Sequence, residues 1–261
     1  MIQEQVRVVL DSIEREEDVR IFYACESGSR AWGFPSADSD YDVRFLYVHP
    51  TTWYLSIDVE TRRDVIERPI NDQLDVVGWD LRKALKLFRK SNPPLLEWLN
   101  SPIVYAERFE IADRLRTLLP DYYSPTASFY HYLHMAQGNF RDYLRGETVW
   151  IKKYFYVLRP LLAMKWIEAG RGIVPMEFAI LVEQMVDQPD VRREIDILLE
   201  RKKQGQELDR EPRIAVISDF IERELERLAA QTIRNTEAQP PIEKLNEVFL
   251  WALQQAPEQE L

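Results

Sequence analysis

Two kinds of hydrophobic pattern divide the chain. Up to about residue 107, stretches with helical spacing alternate with short runs rich in β-branched and aromatic residues. Apolar residues recur at helical spacing over 2–16, and strand-like runs follow at 19–27, 41–48 and 73–79. Asp80 stands where a helix N-cap is expected, and the helix that it begins should stop at Asn92-Pro93-Pro94. This alternation predicts an α/β domain with a short mixed sheet.

Beyond residue 107 the pattern is almost entirely helical. Seven segments with helical spacing are separated by Pro, Gly or polar turns, beginning near residues 109, 128, 149, 176, 191, 214 and 241. We therefore predict an α+β fold class, with an α/β domain at 1–107 and an all-helical domain at 108–261.

Composition and charge narrow the class of protein. The 261 residues carry a net charge of −10, which argues against a surface that coats nucleic acid non-specifically. Residues 141–171 are an exception, with seven Lys or Arg against three acids, and this local excess suits a phosphate-bearing ligand. A single cysteine and the lack of a long apolar run predict a cytoplasmic protein without a membrane partner. The oligomeric state stays open.

Three aspartates provide the first candidate chemistry. Asp40 and Asp42 are separated by one residue, so on a strand they would share a face about 6.5–7 Å apart. Two carboxylates on one face repel each other unless a cation bridges them, and Mg²⁺ prefers such oxygen ligands. Asp75, isolated in the strand-like run at 73–79, can supply a third carboxylate as a shared ligand or as general base. A lone Asp-x-Asp pair more often lies in a solvated turn. The combination of this pair with Asp75 favours a functional site instead.

A small turn precedes these aspartates. Gly28 and Ser29 follow the strand predicted at 19–27, and ten residues separate them from Asp40. Glycine allows close approach of the backbone to a phosphate, and the serine hydroxyl can donate to a phosphate oxygen. Together with the aspartates, this turn indicates a site for a nucleotide phosphate and a metal ion.

These motifs resemble those of a known superfamily. The stretch "GSRAWGFPSADSDYDVRFLYV" is similar to the signature of the DNA polymerase beta nucleotidyltransferase superfamily. The wider set "ESGSRAWGF", "LDVVGWDLRKALKL", "NPPLLEWLNSPIVY" and "KKYFYVLRPLLA" resembles the bacterial predicted nucleotidyltransferases associated with RNA ligases and RNA repair. The resemblance implies a nucleotidyltransferase fold, a metal triad of Asp40, Asp42 and Asp75, and a triphosphate at Gly28 and Ser29.

The resemblance also implies an activity. The expected reaction is transfer of NMP from an NTP to a hydroxyl acceptor with release of pyrophosphate. Two Mg²⁺ ions, with Mn²⁺ as an alternative, would assist it. An RNA 3′ end is the expected acceptor and an RNA ligase the expected partner protein. Alternatives left open are transfer to tRNA, protein or a small molecule such as an aminoglycoside, and a nucleotide-binding or antitoxin module without turnover.

The helical half offers candidate ligands for the nucleotide. Lys152, Tyr156 and Arg159 are spaced so that they share one helix face, and Lys153 lies about 100° away. The basic residues would neutralise phosphates and the tyrosine could stack on a base. A solvated face beside an aromatic core explains the spacing equally well, and the superfamily resemblance favours the nucleotide.

Two arginines near the aspartates have open roles. Arg30 directly follows the Gly-Ser pair, and we expect it to contact a phosphate or to pair with Glu26. Arg44 lies two residues after Asp42 and shares its face, as a salt-bridge partner of the aspartates or as a substrate contact.

Overall fold

The first strand-rich part of the chain forms a five-stranded mixed sheet in the computed structural model, which describes residues 2–71, 73–206, 208–231, 233 and 240–256. The strands are β1 (Arg20–Glu26), β2 (Tyr41–Val48), β3 (Val65–Asn71), β4 (Leu74–Asp80) and β5 (Val104–Glu107). Their order is β3-β4-β2-β1-β5. Strands β2 and β4 are parallel, and the other pairs are antiparallel.

Six α-helices lie between residues 2 and 122, in the same part of the described chain as this sheet. They are α1 (Ile2–Glu16), α2 (Gly28–Ala31), α3 (Thr51–Tyr54), α4 (Leu81–Phe88), α5 (Pro93–Leu99) and α6 (Ile111–Tyr122). Helix α1 buries Val6, Leu10 and Ile13, which recur at helical spacing. They pack with Phe45, Tyr47 and other apolar side chains of the sheet in one buried cluster.

The rest of the described chain is helical apart from two short strands. Its elements are α7 (Pro125–Tyr143), β6 (Thr148–Trp150), α8 (Lys153–Glu168), α9 (Phe178–Met185), α10 (Pro189–Lys203), β7 (Arg210–Pro212), α11 (Ala215–Ala229) and α12 (Glu243–Gln254). Strands β6 and β7 pair antiparallel. Helix α8 is the centre of a large apolar cluster, and its buried side chains point in all directions around its axis.

Two compact units divide the chain. The first contains the described residues within Met1–Ala31, Asp40–Tyr123 and Ala238–Leu261, and the second those within Trp32–Ser39 and Ser124–Glu237. The first unit therefore includes the sheet, α1–α6 and α12, and the second unit includes α7–α11 with β6 and β7. The short segment 32–39 belongs to the helical unit, where Phe34 is part of the apolar cluster around α8.

The α+β fold class predicted from the sequence is confirmed. The domain boundary near residue 107 stays a prediction, and the compact units divide the chain differently: α6 lies in the unit of the sheet, as does α12. Among the described residues, no helix combines the length and the apolar character that crossing a membrane requires.

Three local features differ from the predicted elements. Strand β3 has no counterpart in the sequence-based prediction. Asn92-Pro93-Pro94 starts α5, because the Asn92 side chain accepts a hydrogen bond from the Leu95 amide at 3.3 Å and prolines are tolerated in a first helical turn. Residues 148–150 form β6, and α8 begins only at Lys153.

Candidate active site

Gly28 and Asp42 are in direct contact at one end of the sheet. Strand β1 ends at Glu26 beside the start of β2, and the Ser27 amide donates to the Asp42 carbonyl at 2.8 Å. The backbone then turns through Gly28, whose φ of +58° is in the left-handed region. A Cβ atom at Gly28 would lie 2.0 Å from Oδ2 of Asp42. Glycine is therefore required here by both the backbone angle and the carboxylate.

Asp42 and Asp75 lie side by side on parallel strands. They are direct register partners of β2 and β4. Both side chains are about a quarter exposed, at 27% and 28%. The alternation of side chains then sends the two carboxylates to the same face of the sheet. The sequence contained both aspartates, and the parallel pairing brings them together.

The guanidinium of Arg44 joins these two carboxylates. Its Nη2 lies 3.1 Å from Oδ1 of Asp42 and 2.7 Å from Oδ2 of Asp75. Nη1 donates to the carbonyls of Asp75 at 2.9 Å and Val43 at 3.1 Å. Of the two roles open for Arg44, the structure shows the salt bridge with the aspartates. Positive charge is thereby placed between two like charges that would otherwise repel.

A buried glutamate is hydrogen-bonded to the backbone of Asp42. Glu26 is fully buried, and its Oε1 accepts a hydrogen bond from the Asp42 amide at 2.7 Å. The Tyr105 hydroxyl donates to the other carboxylate oxygen of Glu26. Burial raises the pKa of Glu26 above its ordinary value, and these hydrogen bonds oppose the rise. Burial also raises the pKa of Asp42, against the lowering effect of Arg44. Glu26 thus fixes the backbone from which Asp42 projects.

Asp40 and Arg30 lie at the rim of this site. Asp40 is exposed and directly precedes β2, so it is outside the strand. Its carbonyl accepts a hydrogen bond from Nε of Arg30 at 3.2 Å. The Arg30 guanidinium lies 3.6 Å from the centroid of the Tyr41 ring. Ser29 is in α2, next to Gly28. Roles for Ser29 and Arg30 toward a phosphate remain predictions.

The donor set fits a divalent cation in part. Asp42 and Asp75 present adjacent carboxylate oxygens, the ligand type that Mg²⁺ prefers. In the described part of the chain, no three His, Cys, Asp or Glu side chains are gathered so that they could hold a metal ion. Arg44 already neutralises the inner oxygens of the pair. The pair can therefore hold a metal ion if Arg44 moves or if the outer oxygens are used.

The candidate nucleotide ligands of the helical unit differ in how far they are exposed to solvent. Lys152 is exposed, and Tyr156 is 36% exposed. Nζ of Lys153 lies 4.7 Å from the Tyr156 ring centroid and 4.4 Å from that of Tyr143. Arg159, by contrast, is only 2% exposed. The shared helix face thus changes from solvent at Lys152 to core at Arg159.

Trp32 explains why this face is buried at one end. The indole of Trp32 packs edge-on against Tyr156, with centroids 5.7 Å apart, and the Arg159 guanidinium lies 5.0 Å from the Trp32 centroid. Arg159 is also 3.4 Å from the Met176 carbonyl. Direct contact of Arg159 with a nucleotide remains a prediction. In the structure, the Arg159 guanidinium contacts the Trp32 ring.

Sequence reasoning missed one residue of functional interest. Glu26 gave no signal because its importance depends on the strand register that brings Asp42 beside it. The thiol of Cys25 in β1 is buried, and burial raises its pKa to about 12.

A family model identifies the family of the chain, and two similar proteins are known. A model of the RNA repair pathway DNA polymerase beta family matches residues 2–251. The chain is 55% identical over 243 residues to the uncharacterized protein YcgL of Bacillus subtilis, with 92% of each chain covered. A nucleotidyltransferase-like protein from Exiguobacterium sibiricum 255-15 aligns with a TM-score of 0.32 at 15% identity, over 97% of this chain and 89% of that one. The chain, with its Gly-Ser turn and paired aspartates, therefore belongs to the RNA repair pathway DNA polymerase beta family.

Proposed function

We propose that this protein is a metal-dependent nucleotidyltransferase that transfers NMP from an NTP to the 3′ hydroxyl of an RNA, with release of pyrophosphate. The observation that carries the proposal is the in-register pairing of Asp42 with Asp75, with Gly28 directly against Asp42. The family description supports an acceptor that takes part in RNA repair.

Each residue of the site has a role that follows from its position. Asp42 and Asp75 would hold Mg²⁺, and a role for the exposed Asp40 as a third ligand stays a prediction, since the three side chains are not gathered in the described part of the chain. When bound, the metal would supply charge stabilisation at the reacting phosphate and at the leaving oxygen. Asp75 is also suited to accept the proton of the attacking hydroxyl, because its carboxylate is partly exposed. Glu26 keeps Asp42 in place through the Asp42 amide.

The turn after β1 would hold the phosphates. The Ser29 hydroxyl and the Arg30 guanidinium directly follow Gly28 and would donate to phosphate oxygens. Lys152, Lys153 and Tyr156, which belong to the helical unit, stay predicted nucleotide ligands. An RNA ligase as partner remains a prediction from the resemblance.

Label transfer tests the proposal. Each NTP labelled at its α-phosphate is incubated with Mg²⁺ and a short RNA that ends in a 3′ hydroxyl, and Asp42→Ala is run in parallel. We expect label on the RNA with the natural chain and about 1,000-fold less with the variant, a loss typical of removing a group that stabilises charge in the transition state. Label on the protein, or no transfer despite binding of Mg-NTP, would contradict the RNA acceptor.

A matched control separates the carboxylate from general effects of charge removal. Asp64 is a half-buried aspartate of the same unit, and it forms a 2.8 Å salt bridge with Lys83 away from the paired aspartates. Asp64→Ala should therefore transfer label at the natural rate. Equal loss in Asp64→Ala and Asp42→Ala would show that the assay reports overall damage.

A further inference from the structure

A groove lies between α4 and α12, two helices of the first unit. It encloses about 570 Å³, a size typical of ligand pockets. Leu85 of α4 and Leu245 of α12 are buried at its floor, while Phe249 and the N-cap residue Ile242 line its α12 side. The groove therefore offers apolar side chains to another molecule.

Exposed apolar side chains continue this surface. Leu250 of α12 is 59% exposed, Leu55 is 77% exposed and Ile57 is fully exposed. The Tyr54 ring packs edge-on against the Phe249 ring with centroids 5.0 Å apart, so the segment that holds Leu55 and Ile57 begins beside the groove. Single exposed apolar side chains are common, whereas several around one apolar groove mark an interaction surface. The groove with Leu55, Ile57 and Leu250 is called here the α4–α12 surface.

The α4–α12 surface is positively charged in an acidic protein. Residues 81–92 contain five Lys or Arg and no Asp or Glu, while the whole chain has a net charge of −10. Four of these cations line the groove: Arg82, Lys86, Arg89 and Lys90. Glu60 pairs with Arg82 and lies 3.7 Å from Nζ of Lys86. The cations nearer the start of α4 are therefore partly neutralised within the chain.

Arg89 and Lys90, which directly follow α4, are different. Nε of Arg89 donates to the Pro240 carbonyl at 2.9 Å, and Lys90 is exposed. The salt bridges of residues 81–92 with described carboxylates all involve cations nearer the start of the segment, and none involves Arg89 or Lys90. A carboxylate of another molecule can therefore pair with these two side chains without displacing an ion pair of the described chain.

We propose that the α4–α12 surface binds a partner protein through an acidic amphipathic helix of that partner. Aliphatic side chains of the partner helix would fill the groove, and its Asp or Glu residues would pair with Arg89 and Lys90. The lining of the groove extends along α4 from Arg82 to Lys90, about 12 Å, which two turns of a partner helix would cover.

A single-stranded RNA fits this surface less well. Proteins that hold single strands stack the bases on aromatic rings. The floor of the groove is aliphatic, and Phe249 in its lining already packs with Tyr54. The exposed side chains that continue the groove are aliphatic as well. The combination of aliphatic side chains with free cations therefore favours an acidic protein segment.

A synthetic peptide tests the proposal directly. The probe is a fluorescein-labelled peptide of about 15 residues, with Leu along one helical face and Glu and Ala on the others, and a scrambled peptide of the same composition lacks that face. Fluorescence anisotropy compares binding to the natural chain, to Leu250→Asp and to Lys90→Glu. We expect each substitution to weaken binding by about tenfold or more, because the first removes an apolar contact and the second reverses a charge.

Two variants with matched changes serve as controls. Val8→Asp introduces the same charge at an apolar position of α1 that is 56% exposed, and Lys203→Glu reverses an exposed lysine of α10 that pairs with Glu200 at 3.2 Å. Both should bind the peptide like the natural chain. Equal losses in the controls, equal binding of the scrambled peptide, or no binding of the peptide to the natural chain would overturn the proposal.

Other occupants of the surface give different results. If the natural chain ignores the peptide but binds a short RNA that Lys90→Glu does not bind, the surface is an RNA site and the proposal fails. If sedimentation velocity shows a dimer that Leu250→Asp dissociates, while the peptide is not bound, the occupant is a second copy and the proposal fails as well. Leu250 is exposed, so Leu250→Asp should keep the natural unfolding temperature. If it unfolds early, Ile57→Asp at a fully exposed position takes its place.

Peptide binding is independent of the proposed reaction. Asp80, which precedes α4, is in register with Tyr47, and Tyr47 lies five residues along β2 from Asp42, about 16 Å away. Since the peptide requires neither nucleotide nor metal, Asp42→Ala should bind it like the natural chain. Peptide binding without label transfer would refute the proposed function alone, and label transfer without peptide binding would refute this inference alone.

Discussion

Replacing Gly28 by alanine should couple backbone strain to the position of Asp42. A φ of +58° costs an alanine about 1–2 kcal/mol, of which about 0.4–1 kcal/mol is recovered because alanine restricts the unfolded chain. The added methyl would also lie 2.0 Å from Oδ2 of Asp42, so the carboxylate must turn away. That movement loosens its charged hydrogen bond with Arg44, at a cost of about 1.5–3 kcal/mol. We expect Gly28→Ala to lose about 2–4 kcal/mol in the free energy of unfolding.

Gly33→Ala is the matched control for strain alone. Gly33 has a φ of +91°, and a Cβ there meets no atom within 4 Å. Its substitution should therefore cost only the strain, which at this φ is about 1–3 kcal/mol because +91° lies outside the left-handed α region. Urea-induced unfolding, followed by tryptophan fluorescence and circular dichroism, gives the free energy for each variant.

A double-mutant cycle with Asp42→Ala isolates the clash. In the Asp42→Ala background the carboxyl group is absent, and the nearest remaining atom of residue 42 is its Cβ at 3.4 Å. The cost of Gly28→Ala should fall there to that of its backbone strain alone, about 0–1.5 kcal/mol, which gives a coupling energy of about 1.5–3 kcal/mol. An equal cost of Gly28→Ala in both backgrounds would refute the reasoning, because the carboxylate would then not limit the space.

Three further substitutions test other parts of the first unit. Arg44→Met should lower the free energy of unfolding by roughly 1–3 kcal/mol in metal-free buffer, because Asp42 and Asp75 then face each other without a cation; an unchanged urea midpoint would contradict this. Glu26→Gln should lower kcat of label transfer about tenfold at unchanged KM, since a neutral amide holds the Asp42 amide less firmly; a change in KM alone would exclude positioning. Burial raises the pKa of Asp80 to about 6, so protons stabilise the folded chain. Between about pH 4 and pH 6, the unfolding free energy of the natural chain relative to Asp80→Asn should fall by about 2–3 kcal/mol, and a flat difference would contradict the shift.

Local patterns predicted much of the sheet because they act over a few residues. Helix α1, strand β2 and the N-cap at Asp80 follow directly from apolar spacing and from the hydrogen bond to the Arg82 amide, 2.8 Å long. Strand β3 was not predicted because Glu67 and Arg68 interrupt its apolar pattern. Its pairing with β4 makes it a strand. Pairing between distant segments is the information that a local pattern lacks.

The candidate site shows the same limit. The spacing of Gly28, Asp42 and Asp75 was enough to identify them as candidate site residues. Gly28 and Asp42 are close in sequence, and Asp75 is isolated within a predicted strand. The contacts of Glu26 depend on register and on packing between segments far apart in the chain. Arg44 is an intermediate case. The strand face that it shares with Asp42 was predictable from the sequence, but its salt bridges with Asp42 and Asp75 were not.

The division of the chain into two units has a consequence for synthesis on the ribosome. The first unit is completed by α12, which buries Leu245, Val248 and Ala252. The ribosome makes most of the second unit after α6 and before α12. At typical translation rates, the segment from residue 124 to 239 takes roughly 6–25 s to synthesise. During that time the sheet with α4 and α6 must wait for its last helix with apolar surface uncovered. We expect the nascent protein to depend on chaperones during this interval more than a protein whose units are contiguous in sequence.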